Sequence, residues 1–172
     1  MNICIIIPAY NEEDYIVNTL ESLVSQTYPI KEIVVVNDNS TDNTRSIIDS
    51  FSKKHSFIKS ITTKSEAIHL PGSKVINAFY KGFKFIDKEY DLICKIDADL
   101  IFPSNYFESI IAIFNDNPNC GIAGGFCYIK KEDAWILENL TNKDHIRGAL
   151  KAYRSECFNQ IGGLKNTMGW DT

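Results

Sequence analysis

The sequence predicts an α/β fold, a mostly parallel sheet with helices against both faces. Short apolar runs alternate along the chain with stretches of helical period. The apolar runs lack the strict alternation of a strand with one wet face, as expected where helices cover both sides of a sheet. The length of 172 residues suits one domain, and the 44% hydrophobic and 23% charged fractions are ordinary for a globular protein.

Residues 2–7 (NICIII) read as a first strand. Asn11 then stands where it could cap a helix over 11–25, with Glu12, Glu13 and Asp14 in a first turn that favours carboxylates. Ile16, Leu20, Leu23 and Val24 give that helix its apolar face. Glu32 to Asn37 (EIVVVN) is a second strand and 43–53 a second helix. Residues 57–63 follow as a strand, 72–87 as a helix, 91–96 (DLICKI) as a strand, 103–115 as a helix and 120–129 as a further strand. There is no internal repeat or interdomain linker, so 1–172 is expected to be a single domain.

A net charge of -4 without a dense Lys/Arg run argues against a nucleic-acid binder. Cys4, Cys94, Cys120, Cys127 and Cys157 form an odd set without a C-x-x-C pair, which predicts reduced thiols and a cytoplasmic location. No apolar run approaches the roughly 18 residues that span a membrane, and no secretory leader is evident.

Open α/β sheets bind ligands beyond the carboxyl ends of their strands. Three polar clusters fall there: Pro8-Ala9-Tyr10-Asn11-Glu12, Asn37-Asp38-Asn39-Ser40-Thr41-Asp42 and Asp97-Ala98-Asp99. If the backbone stays extended, Asp97 and Asp99 point the same way. Paired carboxylates of this kind suit Mg2+ or Mn2+ shared with a substrate phosphate. Asp38 could accept a hydrogen bond from a base N–H such as uracil N3–H, or it or Asn39 could build an Asx turn while Ser40 or Asp42 caps the next helix. Tyr10 could cover a base face, and Pro8-Ala9 could bring backbone close to a ligand.

Together these residues resemble the family 2 glycosyltransferases, enzymes of the GT-A (Rossmann-like) fold. Residues 5–44, IIIPAYNEEDYIVNTLESLVSQTYPIKEIVVVNDNSTDNT, match the family's opening pattern. One departure is Asn37, where the family usually has the first of two aspartates; Asp38, Ser40, Thr41 and Asp42 are kept. The D-x-D follows as Asp97-Ala98-Asp99, and Gly148 to Leu164 resembles the acceptor-side segment that precedes the family's acidic motif. The resemblance implies that Pro8, Ala9, Tyr10 and Asp38 hold the base, with Glu12 beside it. It implies that Asp97 and Ala98 lie against the nucleotide, Asp97 at the ribose or the metal, and that Asp99 ligates the metal. Lys74 and Asn77 fall where the family often places ribose or phosphate contacts.

The implied reaction is an inverting transfer from a nucleotide sugar, a UDP-sugar above all, to a carbohydrate or lipid-linked acceptor, assisted by Mn2+ or Mg2+. The family's common role in cell-envelope polysaccharide synthesis and a location at the inner face of the membrane come with it as analogy. Gly169-Trp170-Asp171-Thr172 resembles the start of the acidic motif, so Asp171 is either the general base or the first acid of a motif whose base lies further on. The reading therefore expects a domain cut short on its acceptor side. The alternative is a nucleotide-sugar-binding module lacking a complete base motif. A sugar nucleotidyltransferase would need a glycine-rich, basic loop after the first strand, where this chain has the acidic Pro8-Ala9-Tyr10-Asn11-Glu12. A dinucleotide oxidoreductase would need G-x-G-x-x-G, which no strand precedes.

Overall fold

A computed structural model describes residues 1–63, 73–138 and 145–166. Strands β1 (Ile3–Ala9), β2 (Glu32–Asn37), β3 (Ile58–Thr62) and β4 (Leu92–Ile96) pair in parallel in the order β3-β2-β1-β4. Two further strands complete the sheet. Among the short elements on the way, β5 (Ile122–Ala123) precedes a separate hairpin of β6 (Tyr128–Lys131) and β7 (Ala134–Leu137). Strand β8 (Leu150–Arg154) then lies antiparallel to both β4 and β5, giving the final order β3-β2-β1-β4-β8-β5.

Period-2 geometry explains why the strand runs carry no polar alternation. Ile3, Ile5, Ile7, Ile33, Val35, Leu92, Cys94 and Ile96 face one core. Helices α1 (Ile16–Val24), α2 (Thr44–Lys54) and α4 (Tyr106–Asp116) cover it through Leu20, Ile48, Phe107 and Phe114. Cys4, Ile6, Val34, Val36 and Ile93 face the other core, beneath α3 (Ser73–Phe83) and α5 (Ser155–Gln160). Burial in this second core pushes the Cys4 thiol up to about 12, with Glu32 adding to the rise, and burial also raises Cys94, so both strand cysteines are protonated apolar fillers.

Helix α3 lies close on the sheet at Gly82, where an added Cβ would stand 2.7 Å from Val36 Cγ2 and 2.8 Å from Ile6 Cγ2. Gly82→Ala would gain up to about 1 kcal/mol in helix propensity but force apart two branched side chains of a packed sheet, at about 1–3 kcal/mol. The expected balance is a loss of about 1 kcal/mol, read as a lower urea midpoint at unchanged slope; a higher midpoint would refute the close approach.

The elements differ from the sequence expectation in several places: α3 ends at Phe83 and α4 begins at Tyr106, where helices over 72–87 and 103–115 were expected. Helix α1 begins at Ile16, not near residue 12, and Asn11 does not cap it: Tyr15 stands at the N-cap and no acidic residue lies in the first turn. Strand β1 runs on to Ala9 because Pro8 and Ala9 keep the register with Val36 and Asn37. The strand expected over 120–129 breaks into β5 and β6, since Gly124 and Gly125 interrupt it and Gly124 packs against Ile146 and Leu150. Strand β8 and helix α5 arise where no element was assigned.

Candidate functional site

After β1 the chain crosses outward to β2 and β3, then returns to the other side of β1 as β4. This reversal leaves a crevice at the carboxyl ends of β1 and β4, where doubly wound sheets bind ligands. Tyr10–Glu12 follow the end of β1 and Asp97–Asp99 the end of β4.

The loops after β1 and β2 are laced together by side chains that satisfy each other's backbone. Asn11, at φ 54°, accepts the Thr41 N–H on Oδ1 at 2.8 Å and donates its own N–H to Ser40 Oγ at 3.0 Å. A positive φ suits Asn better than most residues. Glu12 N–H donates to Thr44 Oγ1 at 2.7 Å, and Glu13 Oε2 accepts from the backbone and side chain of Asn43. Asp42 bridges both loops, accepting the Thr44 N–H at 3.0 Å and the Glu13 N–H at 3.2 Å. Asn37, buried at the end of β2, accepts the Ser40 N–H on Oδ1 at 3.1 Å. A carboxylate oxygen could do the same, so the departure at this position keeps the turn. The three acids after Asn11 thus do different work: Glu13 ties the loops, Asp14 is exposed, and Glu12 turns toward the crevice.

Burial would raise the Asp42 carboxyl, but the hydrogen bonds from Thr44 and Glu13 outweigh it and hold it below the ordinary carboxylate range. A depressed folded pKa adds stability above the unfolded value of about 3.9, which is lost as pH falls through the folded pKa. Asp42→Asn should therefore be less stable than the parent at pH 7, and the gap should shrink below about pH 4. Urea midpoints across pH 3–7 test this; a gap constant in pH would show that the charge is not what matters.

Asp38 is buried, donates its N–H to Ala9 O at 2.8 Å and accepts the Thr63 hydroxyl on Oδ1 at 3.0 Å. An Asx turn, side chain to the N–H two residues on, is made by Asp42 with Thr44, and Asn37 reaches three residues on to Ser40. Asn39 adopts φ 60°. Tyr10 carries its ring into solvent at 58% exposure beside this carboxylate's strand end, while Pro8 and Ala9 lie within β1.

Strand β4 ends at Ile96, so the extended-backbone argument for Asp97 and Asp99 fails: Ala98 and Asp99 form a turn. Asp97 N–H donates to Ala149 O at 2.8 Å, and the buried Ala98 accepts the Thr19 hydroxyl on its carbonyl at 2.7 Å. The turn is thereby pinned to β8 on one side and α1 on the other. Asp97 Oδ1 receives the ammonium of Lys95, which is buried in β4 two residues earlier on the same face. Lys151 of β8 stands directly opposite Lys95 and is also buried. Asp99 is exposed. Burial, and next the charges of Asp99, Asp97 and Asp42, push the Glu12 carboxyl above the ordinary range, so the turn brings Glu12 and both aspartates into one field.

Lys74 lies half-buried in the first turn of α3, and Asn77 is exposed with its Oδ1 accepting from Asn166 Nδ2 at 2.9 Å. Asp171 lies outside the described residues. Lys95 was not anticipated, although a lysine in the apolar run LICKI two residues before an aspartate was the available signal. Also unanticipated is a cleft of about 660 Å3 running from Asp99 between Phe102, Tyr106 and the hairpin.

No three His, Cys, Asp or Glu side chains among the described residues are arranged to enclose a metal. The donor set still fits a hard divalent cation, because Mg2+ and Mn2+ are commonly held by one or two carboxylates with substrate phosphates filling the rest. Asp99, with Asp97 beside it, offers that number. Among the described residues no helix is long and apolar enough to cross a membrane.

Helices on both faces of a sheet, with an acidic turn at the switch point, define an α/β protein that takes its ligand at the strand ends. The chain belongs to glycosyl transferase family 2, whose model matches residues 4–165. Among relatives, the poly-beta-1,6-N-acetyl-D-glucosamine synthase of Staphylococcus epidermidis is 32% identical over 183 residues, covering 99% of this chain and 42% of that protein. The probable glycosyltransferase YdaM of Bacillus subtilis is 35% identical over 128 residues, covering 72% of this chain and 29% of its own length. The chain thus spans less than half of these relatives. Among solved structures, S. aureus TarS 1-349 superposes with TM-score 0.74 at 20% identity, covering 99% of this chain and 53% of that one; it has also been solved with UDP and with UDP-GlcNAc. The mannosyltransferase PcManGT from Pyrobaculum calidifontis, in complex with GDP-Man and Mn2+, gives TM-score 0.72 at 19% identity, over 99% of this chain and 49% of the other. The fold is GT-A, as the sequence predicted.

Proposed function

We propose that this chain carries the donor-binding and metal-binding machinery of an inverting glycosyltransferase that uses a UDP-sugar. The observation that carries the reading is the acidic turn Asp97-Ala98-Asp99 at the switch point, in one field with Glu12. Tyr10 stacks on the base, Pro8 and Ala9 line its edge, and Asp38 accepts the uracil N3–H. Asp97, steadied by Lys95, faces the ribose and the metal beside Ala98, and Asp99 ligates Mn2+ or Mg2+. Lys74 and Asn77 approach the ribose or phosphates from α3. A divalent ion held by Asp99 with Asp97 would neutralise charge on the departing diphosphate. A carboxylate within hydrogen-bond reach of the acceptor hydroxyl removes its proton as the anomeric carbon is attacked from the opposite face; Asp171, or an acid following it in the same motif, takes that role. The relatives named as poly-beta-1,6-N-acetyl-D-glucosamine synthases and the UDP and UDP-GlcNAc complexes of TarS support a UDP-sugar donor; work at the inner face of the membrane belongs to the reading by family analogy alone.

Calorimetric titration with UDP, with and without Mn2+, and with GDP as comparison, tests the donor site. Binding in the micromolar to sub-millimolar range that requires Mn2+ and favours UDP over GDP by at least tenfold is expected. A folded chain that binds neither nucleotide would remove the assignment, and preference for GDP would move the donor class to GDP-sugars.

A further inference from the structure

Helix α1 buries Ile16, Leu20 and Leu23, and with them two polar side chains, Thr19 at 0% exposure and Ser22 at 8%. Burying a hydroxyl is costly unless it is hydrogen-bonded, and Val or Ala would fill these places at no such cost. The partners of the two hydroxyls therefore say what they are for. A hydroxyl inside a helix ordinarily donates to the carbonyl four residues back. Thr19 has that acceptor, Tyr15 O, at 3.4 Å, but its hydroxyl lies closer to Ala98 O, at 2.7 Å and 79 residues away in sequence. A hydroxyl has one proton to donate, and the shorter contact takes it.

The acceptor is the middle residue of the acidic turn. Ala98 O and Asp99 N belong to one planar peptide unit, so holding that carbonyl sets the plane on which the Asp99 Cα lies. The peptide entering Asp97 is held separately, by the Asp97 N–H on Ala149 O at 2.8 Å. Asp97 has a further restraint in the Lys95 ammonium, whereas the exposed Asp99 side chain makes no hydrogen bond or ion pair among the described residues. The direction of the Asp99 carboxylate thus depends on the peptide that Thr19 holds. Ser22 and Gln26 continue the contact away from the turn: Ser22 Oγ accepts the Phe102 N–H at 3.1 Å, and Gln26 Oε1 accepts the Phe107 N–H at 3.1 Å. At its other end α1 is tied to the loop after β1, since the N–H groups of Tyr15 and Ile16 donate to Glu12 O at 3.0 and 2.9 Å. One helix thereby sets the acidic turn relative to the loop of Tyr10 and Glu12.

We propose that Thr19 is a positioning residue of the donor site: its hydroxyl, through the Ala98 carbonyl, orients Asp99 toward a divalent cation. The inference rests on the glycosyltransferase reading above and adds to it a residue with no exposed surface of its own.

Three variants separate positioning from packing. Thr19→Val keeps the shape and removes the donor, Thr19→Ser keeps the donor and removes a methyl, and Ser22→Ala breaks the neighbouring contact of the same helix. Mn2+ affinity is read from the free-ion signal in electron paramagnetic resonance, UDP binding by calorimetry across a Mn2+ series, and stability from urea midpoints. Thr19→Val should weaken Mn2+ by about tenfold or more, as when a metal ligand loses the group that orients it, and should raise the Mn2+ needed for half-maximal UDP binding by a similar factor. Thr19→Ser should keep both within about twofold of the parent, and Ser22→Ala should lower the urea midpoint while sparing both to the same degree. Thr19→Ala supplies the same comparison where Thr19→Val does not fold.

The proposal falls if the variants without the hydroxyl bind Mn2+ as the parent does, or if Thr19→Ser or Ser22→Ala weakens it as much as Thr19→Val. It falls also if neither hydroxyl-free variant folds, which would make the contact a requirement of the fold alone. A parent chain that binds Mn2+ but no nucleotide would end the donor reading, while the Mn2+ comparison would still decide the role of Thr19. A parent that binds neither, alone or together, would end both.

Discussion

Asp99→Ala should abolish Mn2+-dependent UDP binding, weakening it by at least a hundredfold, while leaving the thermal midpoint within about 2 °C of the parent. Asp99 is exposed and its side chain makes no hydrogen bond or ion pair among the described residues, whereas Asp97 accepts the Lys95 ammonium and donates its backbone N–H to Ala149 O. The two aspartates therefore separate by experiment. Asp97→Ala should weaken the nucleotide and also destabilise the chain, because it removes a carboxylate that receives the ammonium of a buried lysine, with a second buried lysine opposite across the β4–β8 ladder. Asp99→Ala should affect the ligand alone. Calorimetry with UDP and Mn2+ reads the first quantity and thermal denaturation the second. If Asp99→Ala still binds UDP with the parent's Mn2+ dependence, the cation is held elsewhere and the assignment of this turn fails.

Much of the fold was legible because parallel strands covered on both faces are spelled as unbroken apolar runs. Strand β2 falls where EIVVVN placed it, and β1 and β4 lie within two residues of expectation. The polar clusters at the strand ends were legible too, whereas the switch point between β1 and β4 was not, because strand order is set by pairing. Where the reading failed, side chains had partners distant in sequence. Asn11 has the chemistry of a helix cap but spends it on Thr41, 30 residues away, so α1 starts later. Strand β8 carries Lys151 and Arg154 among apolar residues and becomes a strand only by pairing with β4, more than 50 residues earlier. The hairpin's exposed Tyr128 and Trp135 look like core residues in a sequence window. Within the site, residue types were visible but their division of labour was not: Lys95 on Asp97, Thr19 on Ala98 and Thr63 on Asp38 are contacts made by tertiary packing.

Phe79→Ala should cost about 3–5 kcal/mol, the range for truncating a buried aromatic ring, and move the urea midpoint far below the parent's. Phe79 is 1% exposed and packs with Tyr80, Phe83 and Phe158, joining α3 to α5 over the second face of the sheet. What α5 contributes depends on this cluster. Gly162 and Gly163, at φ 75° and 76°, end the helix in a left-handed turn, with the Gly162 N–H on Asn159 O and the Gly163 N–H on Phe158 O. That turn sends Leu164 back into the core, where its carbonyl accepts the Tyr80 hydroxyl at 2.7 Å. Leu164 is thus held in place by α3 and α5 packing together. Tyr80→Phe, which removes only the hydroxyl, should cost about 1 kcal/mol and leave UDP binding unchanged. In a transfer assay it should lower kcat more than it raises donor KM, since it loosens the hold on Leu164, on the side of the proposed base, and spares the donor site. Equal effects on both would place the turn's role in folding alone.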